Sequence, residues 1–145
     1  MDDPYDLQRF VDAQDAGGTY DRALAELRGG RKQSHWMWFV FPQVAGLGQT
    51  PTSKHFSISS LEEAQAYLRH PVLGPRLAEC ARILDDLPDC DADQIFGWLD
   101  AQKLRSSMTL FLRAAPTEAP FGNVLGKYFG GEPDPATDRI LSATK

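Results

Sequence analysis

Three stretches of this chain interleave polar groups with large apolar ones. They are residues 31–43 (RKQSHWMWFVFPQ), 53–59 (SKHFSIS) and 103–111 (KLRSSMTLF). Aromatic faces beside cations and hydroxyls suit the wall of a pocket for a planar, negatively charged ligand. His35 stands between Ser34 and Trp36 and is the best placed of the three histidines. Trp36 and Trp38 flank Met37. On a strand they would share a face, and on a helix they would sit about 200° apart. One can then be core and the other a stacking plate, or both can be core. A buried indole needs a partner for its N–H, and Gln33, Ser34 or Gln43 can supply one. On a helix, Lys103, Ser106, Ser107 and Leu110 fall at i, i+3, i+4 and i+7, with Arg105 and Thr109 an i,i+4 pair on the other flank. Cations and hydroxyls in the first turns of a helix suit an anion. Asp100 at the cap would repel a phosphate there. The plainer reading is a solvated helix face whose hydroxyls bond back to i−4 carbonyls.

Other chemistries lack their residues. His35, His55 and His70 have no helical metal-pair spacing, and no H-E-x-x-H or C-x-x-C occurs. The stretch GLGQTPTS lacks the G-K-[ST] ending of a phosphate-binding loop. No two carboxylates stand at a telling spacing, and Ser34 beside His35 is a poor nucleophile–base pair because sequence neighbours rarely face each other. Arg31 and Lys32 follow two glycines. They can clamp a carboxylate or phosphate, or simply be cations at a helix C-terminus. Cys80 falls on an apolar stripe and reads as inert core. Cys90, between two aspartates, should have a raised thiol pKa.

The elements that position these residues read as helices. Asp3-Pro4 is a cap followed by proline at the first helical position, and Leu7, Phe10, Val11 and Gln14 then share a face up to Gly17-Gly18. Thr19 can cap a second helix, ended by Gly29-Gly30, and the two predict a helical hairpin. Residues 36–41 are apolar on every side, so periodicity leaves strand and helical turn open until Pro42. Residues 44–54 read as a loop. Ser60-Leu-Glu-Glu63 matches a capping box and predicts a helix to about Arg69. His70-Pro71 breaks it. Leu73, Leu77, Cys80, Leu84 and Leu87 then give the clearest amphipathic helix, closed by Pro88. A short turn holds Ile95 and Phe96. Asp100 can cap a longer helix with Leu104, Met108 and Phe111 inward. Phe121 to Phe129 outline another, and Asp134-Pro135 opens the last. Period-2 strands are missing, so the fold class is all-α, a single domain of about seven short helices over residues 1–145.

With 145 residues, 42% of them hydrophobic and 24% charged, the chain can bury a core without staples. A net charge of −5 argues against a nucleic-acid binder. The N-terminus MDDPYD has no apolar signal region, and no run approaches the roughly 20 apolar residues of a membrane span. The expected setting is cytoplasmic, with reduced thiols.

The motifs SHWMWF, FPQ, GLG, HPVLG, IFG and KLRSSMTLF, in this order, resemble those of a bacterial family of unknown function. Some of its members carry the label calpastatin. The likeness runs from about Tyr5 to Leu141. It implies an all-α single domain and assigns no reaction and no catalytic residue. A looser likeness is to small all-α proteins that process NAD- or ADP-ribose-related compounds. It implies that hydrolysis of an ADP-ribose-type bond is the reaction to test if a pocket here is catalytic.

The resulting expectation is a pocket for a small anionic or nucleotide-like ligand of ADP-ribose or NAD type. It is walled by His35, Trp36, Trp38, Lys103, Arg105, Ser106 and Ser107, with Gln43 and Ser53 contributing. No metal, cofactor, nucleic acid or membrane partner is expected. The alternative is a non-enzymatic interaction or structural module with an aromatic core. What separates them is whether residues 34–36 and 103–107 meet in space.

Overall fold

The computed structural model describes residues 3–48, 50–88 and 91–143, so Cys90 lies outside the described residues. The expected Asp3 cap with Pro4 at the first helical position does not form, because the chain makes a turn before the helix and Leu7 is the N-cap; Asp3 braces that turn. Its carboxylate accepts from the backbone N–H groups of Leu7 and Gln8 at 2.8 and 3.0 Å, and helix α1 spans Gln8–Asp15. Gly17 and Gly18, both at positive φ, turn the chain into α2, Thr19–Arg28. Gly18 is its N-cap. The Thr19 hydroxyl does not cap but donates back to the Ala16 carbonyl at 2.6 Å.

α2 ends in a Schellman arrangement. Gly30 sits at φ +71°, Arg31 N–H bonds the Glu26 carbonyl and Gly30 N–H the Leu27 carbonyl, each at 3.0 Å. Residues 36–41 resolve as a single helical turn, α3 (Met37–Val40). The predicted loop 44–54 hides a further short helix, α4 (Pro51–His55), whose cap is Thr50 accepting from Ser53 N–H at 3.1 Å. Proline at its first position suits a helix start, a signal that the surrounding glycines and hydroxyls masked. Val44 and Ile58 form an isolated parallel bridge.

α5 (Leu61–Arg69) opens with the predicted Ser60 cap on Glu63 N–H at 3.1 Å. The glutamate then reaches past Ser60 to accept from Ser59 N–H and hydroxyl at 2.8 and 2.7 Å. At the next junction His70 Nδ1 accepts from Val72 and Leu73 N–H at 3.1 and 3.3 Å, leading into α6 (Leu73–Asp86). α7 (Ala92–Phe96) carries a capping box between Asp91 and Gln94. α8 (Trp98–Ala114) starts directly after Gly97 at φ +79°, so Asp100 lies inside its first turn and not at its cap. α9 (Ala119–Phe129) stops at Gly130 and Gly131, both at positive φ. α10 (Pro135–Ala143) is capped as predicted, with Asp134 Oδ2 accepting from Thr137 N–H at 3.1 Å. Seven of these helices have eight residues or more, beside three short ones, and no strand occurs among the described residues.

α8 is the central element, packed by α5, α7, α9 and α10, with α6 between α5 and α9. Tyr67 of α5 ties the two sides of the core together. Its ring meets Phe10 edge-on and Phe111 at a tilt, each with centroids 5.2 Å apart. Gln14 is buried where α1 meets α3 and α6. It donates to the Phe39 carbonyl at 2.7 Å and accepts from Arg76 at 3.1 Å. Cys80 is fully buried on the α6 stripe, and burial pushes its thiol up to about 12.

Ser107 is fully buried in α8, and its hydroxyl has no hydrogen-bond partner. An unpaired buried hydroxyl destabilises by about 1–3 kcal/mol, and alanine is the better helix former. Ser107→Ala is therefore expected to raise the urea-unfolding free energy by about 1 kcal/mol. A loss of similar size would show that the hydroxyl is bonded.

Candidate functional site

The segment after the α2 stop is built around Glu26. This carboxylate is in the last turns of α2, and the Schellman turn brings the chain back beside it. It accepts from Gln33 N–H at 2.7 Å, Ser34 N–H at 3.0 Å, the Ser34 hydroxyl, and the Trp36 indole N–H at 2.9 Å. Burial works to raise its pKa, but these donors outweigh it and hold the group down at about 2. The indole partner is therefore Glu26, and not Gln33, Ser34 or Gln43. Trp36 itself is fully buried.

Lys32 is no solvated helix-end cation. Its side chain is only 9% exposed and bonds Asp100 Oδ2 at 2.9 Å. Its ammonium also donates to the Ser34 carbonyl at 2.5 Å and lies 5.1 Å from the Trp36 ring centre. Its backbone N–H bonds the Ile95 carbonyl at 2.7 Å. Asp100 is shared, since Lys103 bonds its Oδ1 at 3.0 Å. Burial works to raise the Asp100 pKa, and hydrogen bonds from Lys32 and Lys103 bring it below the ordinary value. Lys103 in turn stands over the Trp38 ring, 5.4 Å from its centre. Residues 32–38 and the start of α8 thus meet. At the start of α3 the two tryptophans diverge, the N-cap Trp36 into the core and Trp38 half-buried at the edge. The Lys32–Asp100–Lys103 chain carries one positive charge in excess. His35 is exposed beside it, with no hydrogen-bond partner among the described residues.

The remaining predicted residues are placed otherwise. Arg105 donates to the carbonyls of Glu132 and Pro133, each at 3.0 Å. The Ser106 hydroxyl contacts the Gln102 carbonyl at 3.1 Å and Asp134 Oδ2 at 3.0 Å. The Thr109 hydroxyl donates to the Arg105 carbonyl and accepts from Asp134 N–H, both at 2.8 Å. This strip of α8 fastens the start of α10, with the i−4 back-bonding expected of the plainer reading. Ser107 is sealed in the core. Gln43 gives its carbonyl to Ile58 N–H at 2.8 Å. Ser53 is occupied with Thr50 in the first turn of α4. Glu26 was absent from the sequence-based site. The available signal was a carboxylate three residues before a Gly-Gly helix stop, where a Schellman turn folds the following backbone onto it.

Among the described residues no group of three or more His, Cys, Asp or Glu side chains is placed to hold a metal ion. No helix there is long and apolar enough to cross a membrane.

No curated protein matches the chain. Among solved structures it is similar to the conserved hypothetical protein Rv1873 from Mycobacterium tuberculosis. The two share 51% identity, with a TM-score of 0.94 over 98% of this chain and 100% of the other. That agreement bears out the resemblance read from the ordered motifs and the all-α class with it. Residues 4–141 match a family described as a protein of unknown function, DUF1810. A match spanning nearly the whole chain, in which the aromatic segment and α8 both fall, places this protein in the DUF1810 family.

Proposed function

We propose that the face formed by Trp38, Lys103 and His35 binds a small anionic ligand with a planar ring, of the ADP-ribose or NAD type. The observation that carries this reading is the Lys103 ammonium 5.4 Å from the Trp38 ring centre, at the end of a charge chain with one cation in excess. The face of a half-buried indole offers a stacking surface, and an adjacent ammonium offers a partner for phosphate. Lys32 and Asp100 hold Lys103 in place, and Glu26 holds the backbone that leads to Trp38.

Binding is better supported than hydrolysis. A general base works best with a pKa near the operating pH. Glu26 is held at about 2 and Asp100 is also stabilised as an anion, so both are weak proton acceptors. A second reading, an interaction module, draws on Trp98 and Leu99. They stand 65% and 66% exposed, side by side at the start of α8.

Calorimetric titration of the full chain with ADP-ribose, NAD and AMP tests the first reading. Saturable heat is expected for at least one of them, with Trp38→Ala weakening it about ten-fold or more, since a stacked base is worth about 1–3 kcal/mol. Silence across the panel, or affinity unchanged in both Trp38→Ala and Lys103→Gln, sinks it and leaves the interaction module.

A further inference from the structure

A cavity of about 420 Å³ opens between the turn that precedes α1 and the junction of α5 with α6. It shares no residue with the Trp38 face. Small-ligand pockets run from about 300 to 1,000 Å³, mostly apolar with a few convergent polar groups. This one sits near the small end of that range. Tyr5, Leu7 and Ala66 give it apolar wall, and Asp3, Arg69 and His70 give it charge and polarity.

The charged groups are of opposite sign, and Asp3 and His70 are held by hydrogen bonds. Asp3 is anchored by the N–H groups of Leu7 and Gln8 at 2.8 and 3.0 Å, and these two bonds, Gln8's first, lower its pKa. Its carboxylate keeps lone pairs for a further donor. Arg69 ends α5 with no hydrogen bond or ion pair among the described residues. His70 Nδ1 accepts from Val72 and Leu73 N–H. In the neutral ring the proton is then on Nε2, which makes that atom a donor. The N–H groups at the start of α6 are already taken, those of Val72 and Leu73 by this imidazole and that of Gly74 by the His70 carbonyl, so an anion here must use Arg69 and Nε2.

A simple anion in this cavity meets the Asp3 carboxylate, and a simple cation meets Arg69. A zwitterion satisfies both. We infer that this cavity binds an apolar α-amino acid, with its ammonium on Asp3, its carboxylate on Arg69 and His70, and its side chain against Tyr5, Leu7 and Ala66. The arginine fork matches a carboxylate in two parallel bonds.

Backbone amide resonances of Tyr5, Ala66 and Arg69, followed while the full chain is titrated with L-leucine, test this. The comparison ligands are 4-methylpentanoate, which lacks the amine, and isoamylamine, which lacks the carboxylate. Leucine should give saturable shifts, with each comparison ligand about ten-fold weaker or more, as expected for one lost charged hydrogen bond. Arg69→Gln, at an exposed position, should weaken leucine by a similar factor. Asp3→Asn should do the same, its single amide oxygen keeping one of the two backbone bonds that Oδ1 and Oδ2 accept from Leu7 and Gln8. No saturable shift, equal binding of all three ligands, or leucine affinity unchanged in Arg69→Gln overturns the assignment. The ADP-ribose titration reads a different face, so either result stands without the other.

Discussion

Arg9→Ala is expected to lower the unfolding free energy by about 3–5 kcal/mol, the usual effect of breaking a buried ion pair from one side. For a chain of this size that moves the thermal midpoint down by about 10 °C or more. All five N–H groups of this guanidinium are used. Nε donates to the His55 carbonyl at 2.7 Å. One terminal nitrogen donates to the Tyr5 and Asp6 carbonyls at 2.5 and 2.8 Å. The other donates to the Ser57 carbonyl at 2.8 Å and to Glu63 Oε2 at 3.0 Å. The pair is well shielded, with side chains 12% and 3% exposed. Removing the arginine leaves a buried carboxylate without its cation and the carbonyls of Tyr5, His55 and Ser57 without this donor, while Asp6 keeps the backbone N–H of residue 9. It also disconnects α1 from the segment between α4 and α5. Arg9→Lys keeps the charge but not the fork, so it should recover less than half of the loss. Urea unfolding of the three proteins measures this. A loss below about 1 kcal/mol in Arg9→Ala would place the pair with ordinary surface salt bridges.

The second large effect is expected at Gly74, where the usual rule for glycine in a helix reverses. Replacing a helical glycine with alanine normally stabilises by about 0.5–1 kcal/mol. Gly74 is buried in the first turn of α6, and a Cβ there would stand 2.1 Å from the Leu68 carbonyl oxygen and 2.9 Å from its carbon. The obstacle is backbone, so no rotamer change relieves it. The junction of α5 and α6 must open instead. Overpacking of this kind costs about 1–3 kcal/mol or more, and Gly74→Ala should fall at or beyond the upper end. Gly126 is the control. It lies in α9, and a Cβ there meets nothing within 4 Å, so Gly126→Ala should stabilise by about 0.5–1 kcal/mol. Equal shifts in the two variants would remove the steric argument.

Local signals carried much of the fold. The Ser60 and Asp134 caps, the Gly-Gly stops after α2 and α9, and the leucine spacing of α6 each have a cause within a few residues, and each appears where expected. The departures share a different cause. Asp100 has the residue type of a cap, yet Gly97 had already turned the chain, and the carboxylate was drawn to two lysines, one of them 68 positions away. α4 was hidden by loop-like composition that the Thr50-Pro51 start overrides. At the candidate site the sequence named Trp38 and Lys103, which the fold brings side by side, but not the carboxylates that position them. Glu26 acts through backbone folded onto it by the helix stop, which no spacing rule within a helix or strand reveals. Arg105, Ser106 and Thr109 have the chemistry of an anion site and spend it on α10, because Asp134 and the carbonyls of residues 132–133 arrive first.

The thiol of Cys80 has a practical consequence. It is sealed inside α6 against the core and protonated at neutral pH, and only thiolate reacts readily with alkylating reagents. In a Cys90→Ser chain, its modification must wait for the protein to open. The rate at which this one sulfur becomes labelled is then a clock for opening, readable by mass in the same tube as any ligand under test. A ligand that binds the folded chain slows the clock in proportion to its occupancy.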